Sequence, residues 1–344
     1  CKRFCRPLPS HSAKTPKRNA NLIKNKPHTI DLEINLEKGT SVKIIMNSKT
    51  SIHFIINTIS GKGNNTLDQN LVTSVFNPKE YHTVLKKTKT PTDVINHTRE
   101  SLKERPCIIV ACGGDGTINE VGSLLVDTST KLGIIRLGSG NSLARSLNIP
   151  KKVFYALKVI KAGQTKKIDI GLINQRCFFC NVSLGVTAKI IHHYNINQNR
   201  GLSAYMLAIA KVIFKKATPR TIKIKIDKKE TELKPYLFFI SNSGLIGYNL
   251  SLTPEAPLDD GRLHLLCTDK MSFIEKLVFI YSVVTKSVLK SEKIYRTKFE
   301  SLELFSTSKE KFLIQIDGES VLTKKDTLRI SIKKKALHVL APKP

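Results

Sequence analysis

Apolar and polar positions fall into two textures along the chain. From Ser51 onward, short apolar runs alternate with longer amphipathic segments. Ile52-His53-Phe54-Ile55-Ile56-Asn57 reads as a buried strand entering a loop, Thr58-Ile59-Ser60-Gly61-Lys62-Gly63. The pattern predicts a strand around Tyr81 to Lys87, a helix from Thr92 to Lys103 and a buried strand at Ile108 to Ala111. A further strand at Leu132 to Leu137 leads to a helix through Leu147. Strands alternating with helices predict a parallel sheet with ligands at the strands' carboxyl ends. After Asn148-Ile149-Pro150 the texture changes. Helices are expected after Lys151, over Leu202–Lys216 and near Phe273–Leu289. Otherwise short alternating strands dominate, at Thr221–Ile226, Leu237–Ser241, Leu263–Cys267, Phe312–Ile316 and Leu328–Ile332. That pattern predicts a β-sandwich. The fold class is α/β plus β, with an N-terminal parallel α/β nucleotide-binding domain over 51–149 and a C-terminal β-sandwich over 150–344.

Ahead of these, Ile30, Leu32, Ile34 and Leu36 alternate, and Val42 and Ile44 resume after Lys38-Gly39, which predicts an accessory β-hairpin over 29–50. Residues 1–28 hold Lys2, Arg3, Arg6, Lys14, Lys17, Arg18, Lys24 and Lys26 with no acidic residue. A disordered basic tail is expected, with an organellar transit peptide as the alternative. The sequence does not open on Met, so the natural start is expected upstream.

The chemistry concentrates at glycines. Gly113-Gly114-Asp115-Gly116-Thr117 ends an apolar strand and opens a helix through Ile118-Asn119-Glu120-Val121. Glycines let a phosphate approach the backbone, and a helix start offers unpaired N–H groups and a positive dipole end. An aspartate inside such a turn repels phosphate unless a cation intervenes, so Asp115 points to Mg²⁺. The 58–63 loop and Gly138-Ser139-Gly140-Asn141 bring two more glycine turns to the same sheet edge. The 58–63 loop lacks the spacer and Lys-Ser/Thr ending of a Walker A motif.

Composition narrows the partners less. A formal charge of +30 suits anionic lipid, phosphorylated substrates or nucleic acid. No apolar run approaches the roughly 20 residues needed to span a bilayer. Seven cysteines form no disulfide framework and suggest a reducing compartment. Cys177-Phe178-Phe179-Cys180 has metal-knuckle spacing but sits in an apolar segment expected as one strand, which would turn the sulfurs to opposite faces. His192-His193 reads as surface. Asp259-Asp260-Gly261 and Asp317-Gly318-Glu319 read first as hairpin turns.

Gly113 to Glu120, Gly138-Ser139-Gly140-Asn141-Ser142-Leu143-Ala144-Arg145, Asp169-Ile170-Gly171 and Ile316-Asp317-Gly318-Glu319 occur in one order. In that order the chain resembles the diacylglycerol kinase catalytic-domain family, which includes bacterial diacylglycerol kinases and sphingosine kinases, over roughly Ser51 to Pro342. The resemblance implies an ATP-dependent lipid kinase, with the C-terminal domain taking the lipid. It implies nucleotide contacts at Asn57, Ser60, Gly61, Thr88, Gly113, Gly114, Asp115, Gly116, Thr117, Asn119 and Ser139. Glu319 would be the proton acceptor, with Asp115 and Asp169 around a catalytic Mg²⁺. Asp260, with the carbonyls of Pro257 and Arg262, would hold a second Mg²⁺. Thr58 replaces the family's proline, Ser142 stands where many bacterial members have Asp, and Lys189 lies where acidic residues are common. Lys189 disfavours a sphingoid ammonium and favours an uncharged alcohol such as diacylglycerol. The alternatives are a sphingosine-type kinase, an NAD kinase-like enzyme with a soluble substrate, or a non-catalytic lipid or nucleic-acid binder. A cytoplasmic protein peripherally bound to anionic membrane is expected, with no nucleic-acid partner and the homodimer left open.

Overall fold

A computed structural model describes residues 20–23, 29–35, 41–47, 49–61, 67–138, 140–196, 201–213, 219–226, 228–246, 250–287, 291–307, 311–323 and 326–343. The chain divides into two compact units, 1–50 and 51–344. In the first, β1 (Ala20–Ile23), β2 (Thr29–Asn35) and β3 (Ser41–Asn47) form an antiparallel sheet in that order. The expected hairpin corresponds to β2 and β3, paired from Thr29↔Asn47 to Asn35↔Ser41. Ala20–Ile23, assigned by sequence to the tail, pairs instead with Asp31–Ile34. The rest of the expected tail lies outside the described residues.

The second unit runs β4 (Thr50–Asn57), α1 (Gln69–Val75), β5 (Tyr81–Thr88), α2 (Pro91–Lys103), β6 (Ile108–Gly113), α3 (Asp115–Leu125), β7 (Lys131–Arg136), α4 (Ser142–Ser146) and α5 (Val153–Ala162). It continues with β8 (Thr165–Ile173), β9 (Arg176–Phe178), β10 (Asn181–Gly185), α6 (Val186–Ile196), α7 (Leu202–Ile213), β11 (Ile222–Ile226), β12 (Lys229–Leu233) and β13 (Leu237–Ser241). Last come β14 (Leu263–Thr268), α8 (Phe273–Thr285), β15 (Ile294–Phe299), β16 (Ser301–Ser306), β17 (Leu313–Ile316), β18 (Glu319–Leu322) and β19 (Thr327–Leu340).

The α/β half is a sheet in the order β7-β6-β4-β5, in which β4, β6 and β7 run parallel. β6 is buried along its whole length and β4 from Ile52 to Ile56, His53 included, as expected where helices cover both faces of a parallel sheet. Two capped starts fix α2 and α8: Thr90 with Asp93, and Ser272 with Glu275, each form a reciprocal capping box.

The sandwich packs the antiparallel sheet β15-β14-β13-β10-β17-β18 against β12-β11-β16-β19-β8-β9. Strand alternation sorts the side chains. Phe238 and Ile240 of β13 enter the core between the sheets, while Leu237 and Phe239 face α6, α7 and α8 on the outside.

The 14-residue β19 joins the halves. Its first part pairs with β16, Val339 pairs in parallel with Leu132 of β7, and β8 follows it along its length. One sheet therefore crosses residue 150, where the sequence pattern marks a boundary. A bulge at 333–337, with Lys335 at φ 51°, marks the passage between halves.

Candidate active site

The glycine turns meet as the sequence implies. Gly113 ends β6, and Gly114 precedes α3 in extended backbone, with no side-chain hydrogen bond capping the helix. The first-turn N–H groups of α3 therefore face outward without an intrahelical partner. A Cβ on Gly138 would lie 2.6 Å from Gly114 Cα, so two backbones touch where side chains would separate them. A Cβ on Gly113 would meet Thr117 Oγ1 at 2.4 Å. That hydroxyl accepts a hydrogen bond from Asn57 Nδ2 at 3.0 Å, which ties the first loop to α3. Asn57 Oδ1 in turn accepts from Ile59 N–H (3.1 Å), and Gly61 turns at φ 73° beneath Leu137.

Thr88 is buried, and its hydroxyl donates to the Ile56 carbonyl at 3.2 Å. Its own carbonyl accepts from Thr58 N–H and Thr58 Oγ1, both at 3.0 Å. The threonine in place of proline thus fastens the loop to β5. Ser60 N–H reaches the Asn57 carbonyl at 3.4 Å. Ser139 lies outside the described residues.

Asp115 supports the second glycine turn. Its carboxylate accepts from Asn141 N–H and Ser142 N–H, each at 2.7 Å, and so caps α4. These bonds hold Asn141 in a left-handed conformation, φ 55°. Burial pushes the Asp115 carboxyl above its usual range, against the pull of the two N–H donors.

Glu319 arrives from the sandwich. Asp317 (φ 45°) and Gly318 (φ 93°) form the two-residue turn between β17 and β18, with Ile316 paired to Glu319. Glu319 Oε1 would stand 3.7 Å from a Cβ on Gly116, over the start of α3. Its Oε2 accepts from Arg176 Nη2 at 2.5 Å, and Glu120 stands close enough for the Glu319 charge to help raise its pKa after burial. Asp115 and Glu319 therefore attend the same turn.

The turn is set by Asp317, which the sequence reading passes over as a hairpin residue. Oδ2 accepts from Phe179 N–H (2.6 Å) and Asn119 Nδ2 (3.1 Å); Oδ1 accepts from Cys180 N–H and Asn181 N–H, both 2.8 Å. Burial nevertheless pushes the carboxyl up to about 6. Asn119, expected at the nucleotide, reaches across 198 residues to this carboxylate instead. The expected strand through Cys177–Cys180 is broken after Phe178, because the next N–H groups turn onto Asp317.

Asp169 is not brought to this place. It is buried, and its oxygens accept from Gly261 N–H and Lys335 N–H, each at 2.7 Å, while its own N–H donates to the Leu258 carbonyl. It pins the β19 bulge to the 259–261 turn. Asp260 lies in that turn with Pro257 and Arg262. Its carboxylate accepts from His264 Nε2 (2.9 Å), Lys298 Nζ (3.2 Å) and Arg262 N–H (3.1 Å). Burial raises its pKa, but these donors, His264 foremost, draw it below the usual range. An ammonium already on the carboxylate leaves this set unfit for a second divalent ion. Asp115 and Glu319 stand at the same turn, where magnesium characteristically takes one or two carboxylates together with substrate phosphates, but Asp115 already accepts two backbone N–H groups and Glu319 already carries Arg176. No cluster of three metal-ligating side chains occurs among the described residues.

Behind the hairpin lies an apolar cavity between the outer face of the six-stranded sheet and α6, α7 and α8. Ile190, Tyr205, Phe239 and Phe279 line it, and Asn181, Ser183 and Gln315 form a polar patch in the wall. Gln315 Nε2 donates to Asn181 Oδ1 at 3.0 Å, beside the Asp317 turn. Among the described residues no charged side chain lines the cavity.

The diacylglycerol kinase catalytic domain model matches residues 51–173, and the YegS C-terminal NAD kinase beta sandwich-like domain model matches 180–341. The chain belongs to the diacylglycerol kinase catalytic-domain family. A diacylglycerol kinase of Staphylococcus haemolyticus is 27% identical over 246 residues, 70% of this chain and 73% of that one. An uncharacterized protein of Synechocystis is 24% identical over 334 residues, 92% of this chain and 76% of that one. The fold is shared with a putative diacylglycerol kinase from Bacillus anthracis, with TM-score 0.68 and 20% identity over 85% of this chain and 97% of that structure. The two-domain class expected from the sequence is the fold observed.

Proposed function

We propose that this family member is an ATP-dependent lipid kinase that phosphorylates an uncharged lipid alcohol, diacylglycerol being the best match. One observation carries the reading. A single hairpin presents Glu319 to the glycine turn, and its strand β17 supplies Gln315 to the wall of an apolar cavity. A hydroxyl on an amphiphile seated there would sit between a base and a phosphate cradle. The neutral cavity wall supports an uncharged alcohol over a sphingoid amine, because an ammonium would lose hydration without a partner.

The glycine turns bind the nucleotide's phosphates through backbone N–H groups, and Asn57 and Thr117 keep the first loop against α3. Asp115 and Glu319 are the carboxylates that would hold a magnesium ion beside the phosphates, and that ion would supply charge neutralisation. Glu319 accepts the hydroxyl proton as the lipid oxygen bonds to the terminal phosphorus and the bond to the ADP oxygen breaks. Arg176 fixes the carboxylate for that approach. The positive charge of the chain and the cavity's apolar wall support action at an anionic membrane surface; no described helix is long and apolar enough to cross a bilayer.

Glu319→Gln tests the reading: phosphate transfer from radiolabelled ATP to diacylglycerol in mixed micelles should be lost, with ATP affinity retained. Full transfer by this variant removes Glu319 from the chemistry. Phosphorylation of a soluble acceptor without micelles would favour the NAD kinase-like alternative.

A further inference from the structure

Helix α8 is built inside out for a water-facing helix. At roughly 100° per residue, Phe273, Val284, Leu277, Tyr281, Ile274 and Val278 fall within an arc of about 140°. All six are exposed, Ile274 by 73% and Tyr281 by 69%. A surface helix ordinarily turns its polar side to water. The opposite side of α8 is engaged: Phe279 and Ser282 are buried, and Phe279, Ile280 and Val283 line the apolar cavity. Thr285, which falls inside the arc at the last position of the helix, donates its hydroxyl to the Tyr281 carbonyl at 2.9 Å.

Charge is confined to the margins. Lys270 precedes the helix, Lys286 ends it, and Lys276 lies on the flank with its Nζ 5.0 Å from the Tyr236 ring centre. The single acidic residue of the helix, Glu275, is paired with Lys293 at 2.8 Å. A 13-residue helix is about 20 Å long, short of the roughly 30 Å hydrocarbon core.

We propose that α8 lies flat in the interface of an anionic bilayer, with its outward arc among the upper acyl chains and its marginal lysines at the phosphates. Charge complementarity selects this occupant over a second copy of the chain, which would bring another net +30 to the same lysines. Val284 belongs both to the exposed arc and to the cavity wall, so the immersed surface is continuous with the cavity. Resting on the lipid-kinase reading, this arrangement lets a lipid enter the cavity from the bilayer without passing through water.

The test uses the full chain carrying Ile274→Ser, Leu277→Ser and Tyr281→Ser, none of which lines the cavity. Co-sedimentation is measured with vesicles of phosphatidylglycerol and phosphatidylcholine. Transfer to a dispersed short-chain diacylglycerol is measured without vesicles. Vesicle affinity should fall by at least about tenfold with unchanged short-chain turnover, since three apolar anchors are lost. Lys270→Gln with Lys286→Asn should remove only the preference for phosphatidylglycerol. Unchanged vesicle binding in the triple variant overturns the proposal. So does light scattering that shows a dimer dissolved by the same substitutions. If the wild type binds vesicles through α8 yet phosphorylates no lipid, the kinase reading falls and the docking surface stands.

Discussion

Asp317→Asn perturbs the joint between the two halves without changing its shape. Asparagine tolerates the left-handed backbone at this position, so the turn keeps its conformation. The amide oxygen can still accept from Cys180 and Asn181, but an NH2 group replaces the oxygen that accepts from Phe179 N–H and Asn119 Nδ2. Two donors then face a donor. At about 1–3 kcal/mol for each buried unpaired group, and with some relief by rotation, the loss of stability is about 2–4 kcal/mol. The hairpin should also shift, and Glu319 follows two residues later. A displacement on the order of 1 Å can cost about a hundredfold in kcat, while KM for ATP should move by less than about threefold. Urea denaturation gives the first quantity, and micelle assays normalised to folded protein give the second. Wild-type stability and kcat in Asp317→Asn would refute this account of how the sandwich aims its carboxylate.

In calorimetry, Gly138→Ala should weaken ATP binding by about tenfold or more, because its Cβ would press on Gly114 Cα at 2.6 Å. Asp169→Ala should lower stability by about 2–4 kcal/mol through two orphaned N–H groups while folded protein keeps its turnover; selective loss of turnover would return Asp169 to the chemistry. Lys293 beside Glu275 holds that carboxyl at about 2, against an ordinary 4.5. Its contribution is present above pH 4.5 and lost as pH falls toward 2, and carboxyl NMR titration of wild type and Lys293→Ala checks the shift.

The parts legible in the sequence are those whose chemistry leaves few choices. A buried strand broken by Gly113-Gly114 has one common use, and Glu319 stands in a motif whose neighbours confirm the order. Asp317 was hidden because Asp-Gly already suffices for a hairpin. Its partners include backbone N–H groups at 179–181, which carry no side-chain signature. Asp169 looks identical in sequence whether its oxygens meet a metal or two amides. Helix α6 was missed because Val186, Thr187, Ile190 and Ile191 favour strand, and packing against the sheet overrides that preference. The strand expected over Leu328–Ile332 continues to Leu340 through Lys333-Lys334-Lys335, because a bulge there, which alternation does not reveal, carries the strand onward.

That strand has a consequence for biogenesis. Residues 337–340 complete a layer whose neighbours, beginning at Thr50, leave the ribosome almost three hundred positions earlier. The α/β half must therefore wait, with one edge of β7 unsheltered, until the distal sandwich has been synthesised. Expressed alone, residues 51–149 should collect in inclusion bodies, and co-expression of a peptide spanning 165–340 should recover them.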